Sequence, residues 1–109
     1  MYIYNVTVNI DDAVHEEWLN WINSKINQVL DTGKFISAKL TEVLVTEEMG
    51  GKTYSVQYTT QSKEILDAYY KENASLMQAE GIQKFGANML TFRTELRVVQ
   101  EFFPKSTSN

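Results

Sequence analysis

Two stretches of this chain alternate apolar and polar side chains with strict period two, and an amphipathic segment of helical period separates them. From Tyr2 to Ile10, Tyr2, Tyr4, Val6, Val8 and Ile10 fall on one face, and Ile3, Asn5, Thr7 and Asn9 fall on the other. Alternating β-branched and aromatic residues predict a strand with one buried face. From Lys52 to Thr60, Tyr54, Val56 and Tyr58 alternate with Thr53, Ser55, Gln57 and Thr59 in the same way. A chain that buries two such faces needs helices of matching amphipathicity, and the sequence supplies two.

The first helix is predicted over about Asp12 to Leu30, with Asp11 and Asp12 offering a cap and favourable charge at its start. At 100° per residue, Val14, Trp18, Trp21, Ile22, Ile26 and Val29 share one arc, and Glu16, Glu17, Asn20, Asn23, Ser24, Asn27 and Asp31 oppose it. Gly33 is the expected stop. Phe35 to about Thr46 reads as a second strand, with Ile36, Ala38, Leu40 and Leu44 alternating. The run Glu47-Glu48-Met49-Gly50-Gly51 reads as the turn of a hairpin. Ser62 is placed to cap a second helix whose arc holds Ile65, Leu66, Tyr69, Tyr70, Leu76 and Met77. That arc breaks near Gly81, because Ile82 and Phe85 point away from it, so an irregular turn is expected there. Met89 to about Phe102 reads as the last strand, with Leu90, Phe92, Leu96 and Val98 on one side and Pro104 ending it.

The order strand, helix, strand, strand, helix, strand predicts an α+β fold, the ferredoxin-like βαββαβ sandwich, with a four-stranded antiparallel sheet and two helices on one face. Residues 1–104 are expected to form a single domain and residues 105–109 a flexible C-terminal tail. The covered face is expected to gather Tyr4, Val6, Val8, Tyr54, Val56, Tyr58, Phe92, Leu96 and Val98. The open face is expected to gather Asn5, Thr7, Asn9, Ser55, Gln57, Thr59, Arg93, Glu95 and Arg97. Its centre is polar yet uncharged, which suits either water or a contact with a second copy.

With 10 basic against 14 acidic residues the chain carries a net charge of −4, and its bases are scattered. Phosphate neutralisation needs clustered Lys and Arg, so nucleic acid and anionic membranes are excluded as expected partners. An open face without aromatics at its centre also lacks the stacking platform of an RNA-recognition module. No cysteine and a single histidine leave no metal or disulfide inventory. No residue pattern calls for a cofactor, and none matches a phosphate loop or a nucleophile elbow. With no signal-peptide pattern and no membrane span, the expected location is the cytoplasm.

Polar residues nevertheless intrude on both helical arcs: His15 and Lys25 on the first, Asn73 and Glu80 on the second. Buried polar groups are costly unless bonded, so these intrusions suggest a partly wet space between helices and sheet. The candidate ligand-binding residues are His15, Trp18, Ile22, Lys25, Tyr4, Tyr54, Tyr58 and Asn73. Each has a plain structural reading beside the functional one. His15 in a first helical turn is satisfied locally, Lys25 lays its stem along a tryptophan and reaches water, and Trp18 is core.

The stretch from His15 to Phe35, HEEWLNWINSKINQVLDTGKF, with YSVQY at Tyr54–Tyr58 and FRTEL at Phe92–Leu96, resembles a group of small bacterial proteins known as a domain of unknown function. That group is similar to the dimeric α+β barrels, in which two ferredoxin-like chains pack their sheets together. The resemblance implies a homodimer. It also brings in a superfamily that includes cofactor-independent monooxygenases, isomerases, haem-degrading enzymes and proteins without known activity. Relatives of the group often carry His-Ile-Pro where this chain has Lys25-Ile26-Asn27. Two functional readings follow. One is a module that binds a small, partly aromatic ligand or assembles without catalysis. The other is a cofactor-independent enzyme acting on such a molecule, with His15 as its only histidine.

Overall fold

The computed structural model describes residues 1–44 and 50–105. The expected turn residues Glu47, Glu48 and Met49, the expected strand end at Thr46, and the tail beyond Lys105 lie outside the described residues. The first strand, β1, spans Tyr2–Ile10. A short 3-10 turn, Asp12–Val14, leads into helix α1, His15–Leu30, and the Asp11 carboxylate accepts from the Ala13 amide at 2.8 Å as the expected cap. Strand β2 is Ser37–Val43 and β3 is Lys52–Thr60. The second helical arm comprises α2 (Lys63–Tyr69), a π-helical turn (Tyr70–Ala74) and α3 (Ser75–Phe85), with right-handed helical backbone at both junctions. Strand β4 is Met89–Arg97. The sheet is antiparallel in the order β2-β3-β1-β4, and both helical arms cover one of its faces.

Ser62 caps α2 as expected, its hydroxyl accepting from the Ile65 amide at 3.2 Å. Ser62→Ala should destabilise the protein by about 1 kcal/mol in denaturant titration. Gly51 adopts φ +81°, and a Cβ there would lie 2.7 Å from the Ile10 carbonyl oxygen, so only glycine fits where the β3 end meets the β1 end.

Three expectations need correction. In β2 the core residue is Phe35, just ahead of the strand, while Ile36 and Leu44 are exposed; only Ala38 and Leu40 pack inward. In the second arm the irregularity comes at Tyr70–Ala74, upstream of Gly81. The extra residue of a π turn rotates everything after it by about one helical position. Gly81 and Phe85 therefore face the core, and Leu76 (65% exposed) and Ile82 face water.

The third correction is the largest. In the β1–β4 register, Thr7 faces Phe92, Asn9 faces Leu90 and Ile3 faces Leu96, whereas Val8 faces Thr91, Val6 faces Arg93 and Tyr4 faces Glu95. Residues directly opposite in a ladder share a face. Leu90, Phe92 and Leu96 thus lie on the open face, and Met89, Thr91, Arg93, Glu95 and Arg97 lie on the covered one. Val98 follows the end of β4.

The core is aromatic. Tyr4 packs against Tyr58 (6.0 Å between ring centres) and Tyr69 (5.6 Å), and Phe35 meets Tyr69 edge-on at 4.9 Å. Burial pushes the Tyr58 and Tyr69 phenols well above their ordinary 10.0. A phenol whose pKa rises on folding stabilises the fold fully below its unfolded pKa and loses that contribution as pH rises. Stability should therefore stay level up to about pH 10 and then fall by about 1.4 kcal/mol per pH unit for each of the two. Phenolate absorbance from these residues should appear only together with unfolding.

Candidate functional site

A cleft opens between the helices and the covered face, beside β4. Its floor is Tyr4, Val6 and Val8 of β1 with Val56 and Tyr58 of β3. One wall is Trp18, Trp21, Ile22 and Lys25 of α1. The other is Tyr69 of α2 with Met77, Gln78 and Gly81 of α3, and Met89, Thr91 and Arg93 of β4 form the rim. This space measures about 70 Å³. A second open cleft of about 420 Å³, bounded by Tyr4, Tyr70, Gln78, Arg93, Thr94 and Glu95, shares Tyr4, Gln78 and Arg93 with it. The space exists because β4 presents short or polar side chains to the covered face while its apolar ones turn away. Gly81 deepens it: a Cβ at that position would stand 3.1 Å from the Trp21 ring and 3.2 Å from the Met89 methyl.

Of the eight residues singled out from sequence, Tyr4, Trp18, Ile22, Lys25 and Tyr58 come together on this cleft. Trp18 is fully buried, and its indole Nε1 has no hydrogen-bond partner among the described residues. A buried N–H without an acceptor is destabilising unless a water or a ligand supplies one. His15, Tyr54 and Asn73 do not line the cleft. His15 Nε2 is 2.6 Å from the Tyr54 hydroxyl, the two rings stack, and the Tyr54 ring packs on Trp18 at 5.0 Å between centres. Asn73 sits in the π turn, its side-chain oxygen buried and without a partner among the described residues.

Lys25 differs from its plain reading. It is 5% exposed, and its ammonium is held by Glu80, by Gln28 Oε1 at 3.1 Å and by the Met77 sulfur at 3.6 Å, with the Trp21 ring 5.4 Å away. The two polar intrusions on facing helical arcs thus satisfy each other. Glu80→Ala, by leaving that ammonium without its counter-charge, should destabilise the protein by about 1–3 kcal/mol in equilibrium denaturation.

Sequence reasoning missed Arg93 and Thr91, which it assigned to the wrong face or passed over, and it missed Gly81 as a cavity wall. Arg93 Nε donates to the Tyr4 hydroxyl at 3.1 Å. Beside it, Glu95 is paired with Lys63 at 2.8 Å, and Lys63 also holds Asp67 at 2.7 Å. The hydrogen bonds from Asp67 first and Glu95 second push the Lys63 ammonium up to about 12, and the Lys63 bond holds the Glu95 carboxyl below the usual carboxylate range. Burial, then the hydrogen bond to Glu95, pushes the Tyr70 phenol up. Among the described residues no three His, Asp or Glu side chains converge into a metal-holding group, and no helix is long and apolar enough to cross a membrane.

The model of a family described as a domain of unknown function, DUF4286, matches residues 1–99. No curated protein matches the chain in sequence. Among solved structures, a dimeric ferredoxin-like protein from an uncultured marine organism superposes with a TM-score of 0.68 at 11% identity, covering 93% of this chain and 97% of that one. A Deinococcus radiodurans protein provisionally assigned as an antibiotic biosynthesis monooxygenase superposes at 0.64 with 7% identity, over 97% of this chain and 100% of its own. A mutant of MhuD with two manganese protoporphyrin IX molecules bound per active site superposes at 0.65 with 12% identity, over 95% and 100%. At these identities the likeness shows the fold alone, a ferredoxin-like α+β chain.

Proposed function

The chain belongs to the DUF4286 family, and we propose that it works as a homodimer in which each subunit binds a small, partly aromatic molecule between its helices and its sheet, without catalysis. The observation that carries this reading is the cleft itself. Aromatic and aliphatic side chains line the space, among them a fully buried tryptophan whose N–H has no partner among the described residues, the usual composition of a small-molecule site. The catalytic alternative has less support. His15, the only histidine, bonds to Tyr54 and does not line the cleft, and Lys25 is engaged by Glu80.

The dimer reading draws on the open face. Its central polar groups bond to one another: Ser55 donates to Asn5 at 2.6 Å, Asn5 to Thr7 at 3.3 Å and Asn9 to Thr53 at 3.2 Å. Polar groups already satisfied in this way lose less when water is removed. Along the β4 edge lie Leu90 (56% exposed) and Phe92 (66% exposed), an apolar stripe with no cover in the single chain.

Thermal melts against a panel of single-ring aromatic compounds test the binding reading. A ligand at a hundred times its Kd stabilises by about 2.7 kcal/mol, which raises Tm by roughly 10 °C or more in a domain of this size. Gly81→Ala should weaken that ligand by narrowing the cleft, while stability changes by no more than about 1 kcal/mol as helix propensity offsets the crowding. A panel that leaves Tm unmoved throughout would sink the proposal.

A further inference from the structure

We infer that the molecule bound in this cleft carries a carboxylate, gripped at the mouth by the Arg93 guanidinium while its apolar part points inward toward Trp18. The inference rests on the binding reading above and adds the ligand's chemical class to it.

The charge inventory of the cleft motivates it. Lys25 is neutralised by Glu80, and Glu95 is taken up by Lys63. Arg93 has no carboxylate partner among the described residues, and Nε is its one described hydrogen-bonding atom, donating to Tyr4. That single bond fixes the plane of the guanidinium and leaves the fork of its two terminal nitrogens for an acceptor. A planar fork of this kind matches a carboxylate with two parallel hydrogen bonds. Trp18 lines the same cleft, and its buried N–H is a second donor without an acceptor among the described residues. Both groups are donors, the Arg93 fork exposed at the mouth and the Trp18 N–H buried, so the complementary molecule is rich in acceptors.

Size gives the orientation. The space beside Trp18, about 70 Å³ and open at the rim, is well below the ~150 Å³ of an engineered cavity that admits benzene. A ring therefore enters edge-first, with Met77 and Met89 yielding as flexible thioether chains do. The remaining atoms occupy the second cleft of about 420 Å³, which shares Tyr4, Gln78 and Arg93 with this space. Arg93 faces Val6 across the ladder, which sets the cationic group beside the apolar floor. A single-ring or short-chain carboxylic acid fits this arrangement. The chain's overall charge of −4 repels anions at long range, so recognition depends on the local fork.

The experiment is calorimetric titration of the full chain with benzoate, phenylacetate and 3-phenylpropionate, each beside its amide. At least one acid should bind about ten- to hundredfold more tightly than its amide, the worth of charge-assisted hydrogen bonds. Arg93→Gln should bring acid and amide to within about threefold of each other, whatever it does to both, and an unchanged urea midpoint certifies the fold of the variant. Arg93→Lys should restore part of the gap, since it keeps the charge and loses the fork. If acids and amides bind alike, or the gap survives Arg93→Gln, the inference falls and the binding reading stands. If neither acids nor amides bind, both fall.

Discussion

Phe92→Glu is expected to scatter light as a single chain of 12.6 kDa under conditions where the parent protein scatters with twice that mass. Leu90, Phe92 and Leu96 share a face with Ile3, Asn5, Thr7 and Asn9, and no helix covers that face. An edge strand that aims its large apolar residues at an uncovered face is an association surface. Three strands of nine residues and one of seven, at ~3.4 Å per residue and ~4.8 Å between strands, give a face of at most about 30 by 19 Å. Two such faces approach the lower end of the ~1,200–2,000 Å² that stable interfaces bury. The exposed apolar residues beyond β4, Val99, Phe102 and Phe103, are placed to supply more. A glutamate at the middle of that stripe would bury an unpaired charge in each subunit, and separation is the outcome. Persistence of the parent mass in Phe92→Glu would remove the open face as the interface.

Trp18→Ala should lose about 3–5 kcal/mol of stability, the range for a fully buried large aromatic replaced by alanine. Trp18 has no exposed surface and packs against the Tyr54 ring at 5.0 Å between centres. A chain of 109 residues has a total stability of roughly 5–16 kcal/mol, so the loss is a large share of it. Equilibrium denaturation in urea measures it. Trp18→Phe separates the two roles of the side chain. It keeps most of the apolar wall and removes the N–H, so it should cost less stability while still weakening a ligand that accepts from the indole. A loss under 1 kcal/mol in Trp18→Ala would mean that the indole does not hold the helix to the sheet.

The strands β1 and β3 were legible to the residue because each alternates cleanly and lies in the middle of the sheet, where one face must be buried. β4 was legible as a strand but not as to its faces. The sequence rule that apolar residues turn toward the helices assumes that the helices are the only cover available. In β4 the apolar set, Leu90, Phe92 and Leu96, turns the other way, and the covered face carries Thr91, Arg93 and Glu95 at a cleft mouth. The sequence pattern hides this, because among the described residues nothing in the chain covers the apolar set. The π turn at Tyr70–Ala74 hid Gly81 and Phe85 for a different reason. A single added residue shifts the phase of the arc without changing any residue's propensity, so the sequence registers only a broken pattern downstream.

For the candidate site, five residues were legible because they sit on regular elements of clear period: Tyr4, Trp18, Ile22, Lys25 and Tyr58. His15 and Tyr54, also singled out from sequence, bond to each other at 2.6 Å and do not line the cleft. Lys25 and Glu80 were each visible as misfits on an apolar arc. That they answer each other depends on the approach of α1 to α3, which no single helix encodes.

The most direct test of the central claim is an NMR titration of the uniformly nitrogen-labelled protein with an aromatic acid, following the indole N–H signals of Trp18 and Trp21. The account predicts that the Trp18 indole resonance moves in a saturable way, as the N–H gains its acceptor, together with the amides of Gly81, Thr91 and Arg93 around the cleft. Saturable shifts confined to the open face around Leu90 and Phe92, or an unmoved Trp18 indole at saturation, would contradict it.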